Sequence, residues 1–284
     1  MARGDLHIHT SASDGVLSPA DIAEQVIAGG LDFLSVTDHN TLGAIRPVAE
    51  GLRARGPQLI SGVELSAQPE EGDEIHVLGY GFDPECLDLQ EVCREICRGK
   101  WEQLRAMIGR LRAAGIEVEF ADLAGQGDDS YVGRPILADL LLRNHVVASR
   151  NQAFARYLGR GGRAFVPMRP FSSRRCIEAI HRAGGVAVLA HPRMEVVDRW
   201  IEHLAAAGLD GIEAYRPALT GNEQLYVEKA AEHFGLFVTG GSDWHGHDNG
   251  PPLGAFAVSR EQVGEFLASL RPGPPELSPS AGAL

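Results

Sequence analysis

Apolar and polar positions alternate along this chain in blocks that predict strands and helices in turn. Ser18 is placed to cap a helix, Pro19 occupies its first position and Asp21 lies three residues after the cap; the helix should stop at Gly29-Gly30. LDFLSVTDHN follows, apolar until it turns polar at Asp38, His39 and Asn40, as a buried strand does where it emerges into a loop. The pattern recurs in LISGVEL (59–65), HVLGYG (76–81), VAVLAHP (186–192), LDGIEAY (209–215) and LFVTGGSDWHG (236–246). Helix-compatible stretches at 174–183, 195–207 and 222–234 separate the later runs. Strands alternating with helices predict an α/β protein with a parallel sheet. Several runs carry His, Asp or Glu at or just past the carboxyl end, where barrels of this type place their chemistry. His76 differs, standing at the beginning of its run.

Residues 86–170 break this rhythm. GKWEQLRAMIGRLRAAG places Trp101, Leu104, Ile108 and Leu111 at helical spacing, and RPILADLLLRNH, opened by Pro135, predicts a second helix. The segment holds 13 Lys and Arg against 10 Asp and Glu, a net +3 in a chain whose formal charge is −12. It reads as an inserted helical cap, leaving 1–85 and 171–270 as the main domain; 271–284, rich in Pro, Ser and Gly, reads as a loose tail. Cys86, Cys93 and Cys97 recur at helical spacing without a C-x-x-C pair, as buried thiols on one helix face would.

With 284 residues, the chain can bury a large core without disulfides. Its acidity argues against a nucleic-acid coat or an anionic membrane as general partner, although a local cationic site can still bind an anion. No secretory leader and no membrane-spanning run is read at the sequence level, which predicts a cytoplasmic protein with no membrane partner; no obligate protein partner is evident.

The candidate chemistry begins in DLHIHTSASDG. In an extended segment side chains alternate, so His7 and His9 point the same way and can reach one ion, while the intervening Ile8 faces the packing side. The same geometry is expected of Asp243-Trp244-His245. With Asp14, His39, Glu64, His76 and His191, nine side chains are available. They suit two or three ions with shared carboxylates. The mixed nitrogen and oxygen set favours manganese, zinc or iron over calcium, manganese being the first expectation. Asp5 is expected to be either structural or a group that orients an imidazole, and Glu213 is assigned no metal. His145, His181, His203 and His233 are read as structural, and His247 as exposed or supporting a ligand.

DLHIHTSASDG, SVTDHN, GVEL, HVLGY, LAHP and GGSDWHG, in this order, resemble the PHP family, named for polymerase and histidinol phosphatase domains. That resemblance implies a distorted (β/α)7 barrel with an inserted helical cap and a trinuclear metal centre at the carboxyl ends of its strands. One metal would take His7, His9, Glu64 and Asp243; a second would share Glu64 and add His76 and His191; a third would take Asp14, His39 and His245. The insertion, with YVGRPILADLL and YLGRGGRAFVP, is similar to that of stand-alone members which remove the 3′-phosphate from nucleoside 3′,5′-bisphosphates to leave a 5′-monophosphate; some relatives trim short RNA from its 5′ end.

Charge favours phosphate independently. Three divalent ions set against three carboxylates and a hydroxide leave about +2, a good match for a phosphomonoester dianion. Asp243 is expected to orient the attacking nucleophile, and either His191 or a metal-bound water to protonate the leaving oxygen. A second phosphate needs cations away from the metals, and Arg134 and Lys100 are the candidates. Ser130, Gly133 and Trp101 would line the same pocket, Trp101 either as a nucleobase platform or as helix core, and Asp14 and His39 would also touch the substrate. The expected activity is therefore a metal-dependent 3′,5′-nucleoside bisphosphate phosphatase. Alternatives are a histidinol-phosphate-type phosphomonoesterase, a 5′-to-3′ exoribonuclease on short RNA and a non-catalytic metal-stabilised module.

Overall fold

The computed structural model describes residues 2–52, 56–70, 72–118, 130–217, 219–247 and 250–271; all of the expected tail except Arg271 lies outside them. The amino-terminal strand β1 (Arg3–Ile8) leads to helix α1 (Pro19–Ala28), which begins as the sequence implies: Ser18 accepts from the Asp21 amide and the Asp21 carboxylate accepts from the Ser18 amide, a closed capping box. Strand β2 (Phe33–Val36), helix α2 (Ile45–Leu52), strand β3 (Gln58–Ala67) and strand β4 (Ile75–Tyr80) follow. The segment read as an insertion forms α3 (Leu87–Ala113), α4 (Arg134–Arg143), α5 (Arg150–Ala153) and a single π-helical turn at Phe154–Leu158. The chain then alternates through α6 (Ser173–Arg182), β5 (Val186–Leu189), α7 (Met194–Ala206), β6 (Gly211–Tyr215), α8 (Gly221–Phe234) and β7 (Phe237–Gly240), ending with β8 (Val258–Ser259) and α9 (Gly264–Ser269).

These strands form one sheet in the order β7-β6-β5-β4-β3-β2-β1-β8. A parallel bridge between Ile8 and Trp244 brings the segment after β7 back against β1, with the His9 amide donating to the Trp244 carbonyl at 2.9 Å. The result is a nearly closed, distorted barrel. The sheet is not wholly parallel: β4 runs antiparallel to both β3 and β5, and the two-residue β8 runs antiparallel to β1. Strands β3 and β4 are joined without a crossover helix, which permits the reversal. That reversal explains His76. The beginning of β4 lies where its antiparallel neighbours β3 and β5 end, so a histidine at its start joins residues from the other strands' carboxyl ends.

Alternation along each strand sorts two cores. Leu34, Val36, Val63, Leu65, Val77, Leu189 and Ile212 pack with Ile22, Val26, Val48, Ile177 and Ile180 of the surrounding helices. Phe33, Ile60, Leu78, Tyr80 and Val188 fill the other face together with Phe266. His76 and Glu64 belong by parity to this second face, above the apolar plug.

Helix α3 starts twelve residues before the expected GKWEQLRAMIGRLRAAG segment, and its two halves have different partners. Leu89, Val92, Cys93 and Ile96 join the barrel's helical layer, whereas Trp101, Leu104, Met107, Ile108 and Leu111 form a separate core with Leu137, Leu141, Tyr157 and Leu158. Cys86, Cys93, Cys97 and Cys176 are free thiols. No helix among the described residues is long and apolar enough to cross a membrane.

Candidate metal centre

Glu64 is the hub of the site. It is wholly buried, and its two oxygens face different groups. Oε2 lies 3.3 Å from His7 Nε2, 3.2 Å from His9 Nε2 and 3.1 Å from His39 Nδ1. Oε1 lies 2.6 Å from His76 Nδ1 and 2.8 Å from His191 Nε2. Asp243 Oδ1 adds a second acid to the first group, 3.4 Å from His7 Nε2 and 3.2 Å from His9 Nε2. Asp14 forms a third focus, with Oδ1 3.3 Å from His245 Nε2 and Oδ2 3.7 Å from His39 Nε2.

All nine side chains expected as ligands are thus gathered at one end of the barrel. Three sets have donor atoms within 4.8 Å of one another: His7, His9, Glu64 and Asp243; His9, Asp14, His39 and His245; and His39, Glu64 and His76. His9 and His39 each stand between two sets. His191 reaches the cluster through Glu64 and through His76 Nδ1, 3.2 Å from its Nε2.

The cluster fits divalent cations. Among the described residues, His9 Nε2 and His39 Nδ1 are buried without a hydrogen bond, although each faces carboxylate oxygen. Unpaired buried nitrogen is costly in a folded protein, and here such atoms converge with acids in a nitrogen-and-oxygen donor set suited to zinc, manganese or iron.

The backbone supports this convergence in ways the strand pattern does not reveal. Asp243 and His191 adopt positive φ angles of 53° and 27°, so Asp243-Trp244-His245 is not the regular extended segment its spacing suggests; β7 itself ends at Gly240. A Cβ on Gly241 would lie 2.4 Å from His7 N, so only glycine lets this loop press against β1. Asn40, with φ of 53°, fixes the loop carrying His39 by exchanging side-chain hydrogen bonds with Ser66. Asp5 accepts from the backbone amides of His7 and Ser242 and from the Ser242 hydroxyl. It therefore holds two chain segments together, the structural one of the two roles read for it.

Several supporting residues escaped the sequence reading. Glu213 takes the His7 Nδ1–H at 2.9 Å and the His191 amide at 2.7 Å, turning His7 Nε2 toward the cluster. Asp38 accepts from the Thr10 amide and hydroxyl and from Ser13, bracing the Asp14 loop. Tyr131, from the insertion, donates to Asp14 Oδ2 at 2.9 Å and stacks on His39 with ring centroids 5.5 Å apart. A Cβ on Gly133 would lie 2.6 Å from the Tyr131 hydroxyl, which gives that glycine a steric role. Glu74 meets Lys100, His76 Nε2 at 2.9 Å and Arg134 Nη2 at 3.7 Å. His247 donates to the Asp14 carbonyl at 2.7 Å. His181, read as structural, pairs with Asp210.

The residues expected to bind substrate divide. Asp14 and His39 are in the cluster, and Lys100 and Arg134 meet at Glu74 beside it. Trp101 is 1 % exposed, lies in the insertion's core and donates its indole N–H to the Ser130 carbonyl at 3.1 Å. Its ring has no free face for a base, which corrects the nucleobase-platform expectation in favour of helix core.

Without cations, protons occupy the site. Burial opposes charge on His9, but Asp243 and Glu64 outweigh it and raise its pKa to about 10; at His76, Glu64 and Glu74 likewise overcome burial and raise it to about 9. Burial instead pushes His39 down to about 3. Glu64 and Asp14 are held below the ordinary carboxylate range by their imidazoles against the opposing effect of burial. Binding a cation must therefore displace protons from His9 and His76, so apparent metal affinity should rise with pH from 7 toward 9 and binding should release protons. Calorimetric titration of Mn2+ at pH 7.5 in two buffers of different ionisation enthalpy should detect that release; a heat independent of buffer would contradict it.

Residues 5–152 match the PHP domain family. The chain belongs to the PHP family. Over 85 % of this chain and 89 % of the relative, it is 35 % identical to a 5′-3′ exoribonuclease of Haemophilus influenzae. It is also 30 % identical to a 3′,5′-nucleoside bisphosphate phosphatase of Chromobacterium violaceum, covering 88 % of this chain and 90 % of that protein. A crystal structure described as that of a metal-dependent phosphoesterase from Bifidobacterium adolescentis superimposes with a TM-score of 0.83 at 27 % identity, covering 98 % of this PHP chain and 99 % of the other. The PHP family and these relatives support a metal-dependent hydrolase acting on phosphoesters.

Proposed function

We propose that this protein is a phosphomonoesterase that removes the 3′-phosphate of nucleoside 3′,5′-bisphosphates, leaving a nucleoside 5′-monophosphate. The observation that carries the reading is the pair of insertion cations, Lys100 and Arg134, brought beside His76 at the edge of the cluster. One phosphate would lie at the cluster and the other at this pair. Gly133 opens α4 without a capping side chain, so the helix dipole adds favourable potential for an anion next to Arg134.

Bound divalent cations would be held by His7, His9, Glu64 and Asp243, by Glu64, His76 and His191, and by Asp14, His39 and His245. They would supply Lewis acidity and an activated nucleophile. The chain's own residues do the rest. Arg134 grips the remote phosphate and orients the ribose; Asp243, 38 % exposed, is open to solvent where it can align the attacking oxygen; His191, 28 % exposed, borders the same opening, where either its imidazole, when not bound to a cation, or a water can give a proton to the departing 3′-oxygen. Glu213 fixes the His191 backbone, which sets where that imidazole reaches.

A second reading, 5′-to-3′ exoribonuclease action on short RNA, is favoured by the Haemophilus influenzae relative. Both readings use a cationic pocket for a phosphate next to the scissile ester. Phosphate release from adenosine 3′,5′-bisphosphate and from histidinol phosphate, and release of nucleoside 5′-monophosphate from a 5′-phosphorylated pentaribonucleotide, each measured with Mn2+, separate them. The bisphosphate should be the best substrate by kcat/KM, and Arg134→Ala should raise its KM by about 10- to 100-fold, the loss of one charge-assisted bidentate contact. Preferred turnover of the pentaribonucleotide would replace this reading with the second, and preferred turnover of histidinol phosphate would overturn both.

A further inference from the structure

Glu74 stands one residue before β4, with its carboxylate between the cluster and the insertion. One oxygen, Oε1, accepts from His76 Nε2 at 2.9 Å and from Lys100 Nζ; the other lies 3.7 Å from Arg134 Nη2. Its side chain is 11 % exposed. The opposite ring nitrogen of His76, Nδ1, faces Glu64 Oε1 and His191 Nε2. With a cation bound, Glu74 would thereby select the His76 tautomer with hydrogen on Nε2 and the lone pair of Nδ1 aimed at the cluster, as a carboxylate behind a metal-ligating histidine does.

We propose that Glu74 is a positioning residue that orients His76 for its cation while holding Lys100 and Arg134 at the spacing of the second phosphate. The Lys100 and Arg134 half of this proposal rests on the bisphosphate reading; the His76 half does not. The carboxylate also sets the pocket's charge. Against two cations it leaves one net positive charge, so a bound phosphate has to share Lys100 with Glu74. Removing the negative charge while keeping a side chain of the same shape should therefore act oppositely on the two neighbours. His76 loses its charged anchor, and the anion pocket loses a competitor.

Glu74→Gln in the full chain tests this with two measurements. Titration of Mn2+, following the free ion by electron paramagnetic resonance, should show one class of site weakened about 10-fold in Glu74→Gln and up to about 100-fold in Glu74→Ala. Calorimetric titration of adenosine 5′-monophosphate at saturating Mn2+ should show affinity retained or tightened a few-fold in Glu74→Gln, but weakened in Glu74→Ala, which no longer holds Lys100. Unchanged Mn2+ binding in both variants would overturn the proposal. So would parallel loss of Mn2+ and nucleotide affinity in Glu74→Gln accompanied by a lower Tm, the pattern of a general structural role. Failure of adenosine 5′-monophosphate to bind the wild-type chain would overturn the bisphosphate reading and the pocket half with it, while weakened Mn2+ binding in Glu74→Gln would still support the role toward His76.

Discussion

Glu64→Gln is expected to lower kcat/KM by about 1,000-fold, equivalent to about 4 kcal/mol of transition-state stabilisation. No other acid in the cluster faces so many imidazoles: its two oxygens lie within 3.3 Å of nitrogens of His7, His9, His39, His76 and His191. Glutamine keeps the shape but offers one oxygen and an N–H2 group, and the amide would point a donor at imidazole nitrogens that must themselves be lone-pair donors to a cation. The carboxylate's negative charge is lost at a fully buried position, where its interaction with cations is least screened. The measurement is steady-state hydrolysis of the preferred phosphoester beside metal content after gel filtration. Both should fall together. Near-normal turnover with full metal content would show that Glu64 does not bridge the site.

Asp243→Asn should have the next largest effect, a fall in kcat/KM of about 100- to 1,000-fold with the fold retained. Its Oδ1 is shared by His7 and His9, and its carboxylate is held well below the usual range because those two imidazoles overcome the effect of burial. Retention of the fold follows from the backbone. At φ of 53°, Asp243 occupies the left-handed region, which asparagine adopts almost as readily. A β-branched residue there would add backbone strain and confuse stability with chemistry. Thermal unfolding of the metal-free proteins should therefore place Asp243→Asn within a few degrees of wild type while activity collapses. A parallel loss of both would contradict the separation.

Part of the cluster was legible because local rules expose it. His7 and His9 share a strand face by alternation, and His39 and His191 mark points where apolar runs turn polar. Other features depend on geometry that local patterns do not encode. The β3-β4 reversal brings His76 to the productive end, and no local signal in HVLGY distinguishes an antiparallel strand from a parallel one. Glu74 and Tyr131 stand in loops flanking an element, and their roles arise only when the insertion folds against the barrel. Trp101 shows the converse limit. A tryptophan beside two candidate phosphate cations suggested a base platform, but its helical spacing with Leu104, Ile108 and Leu111 signalled core, and core is where it lies. Glu213 carried a usable signal, an acid at a strand end that is assigned no metal, yet its hydrogen bond to His7 has no local signature.

Elemental analysis of the purified chain, after equilibration with Mn2+ and removal of free ion, addresses most directly the gathering of nine side chains from separate segments around a cluster of cations. Two to three divalent ions per chain are predicted, falling below one in Glu64→Gln. A folded wild-type chain that retains no ion at any pH between 7 and 9 would contradict the account.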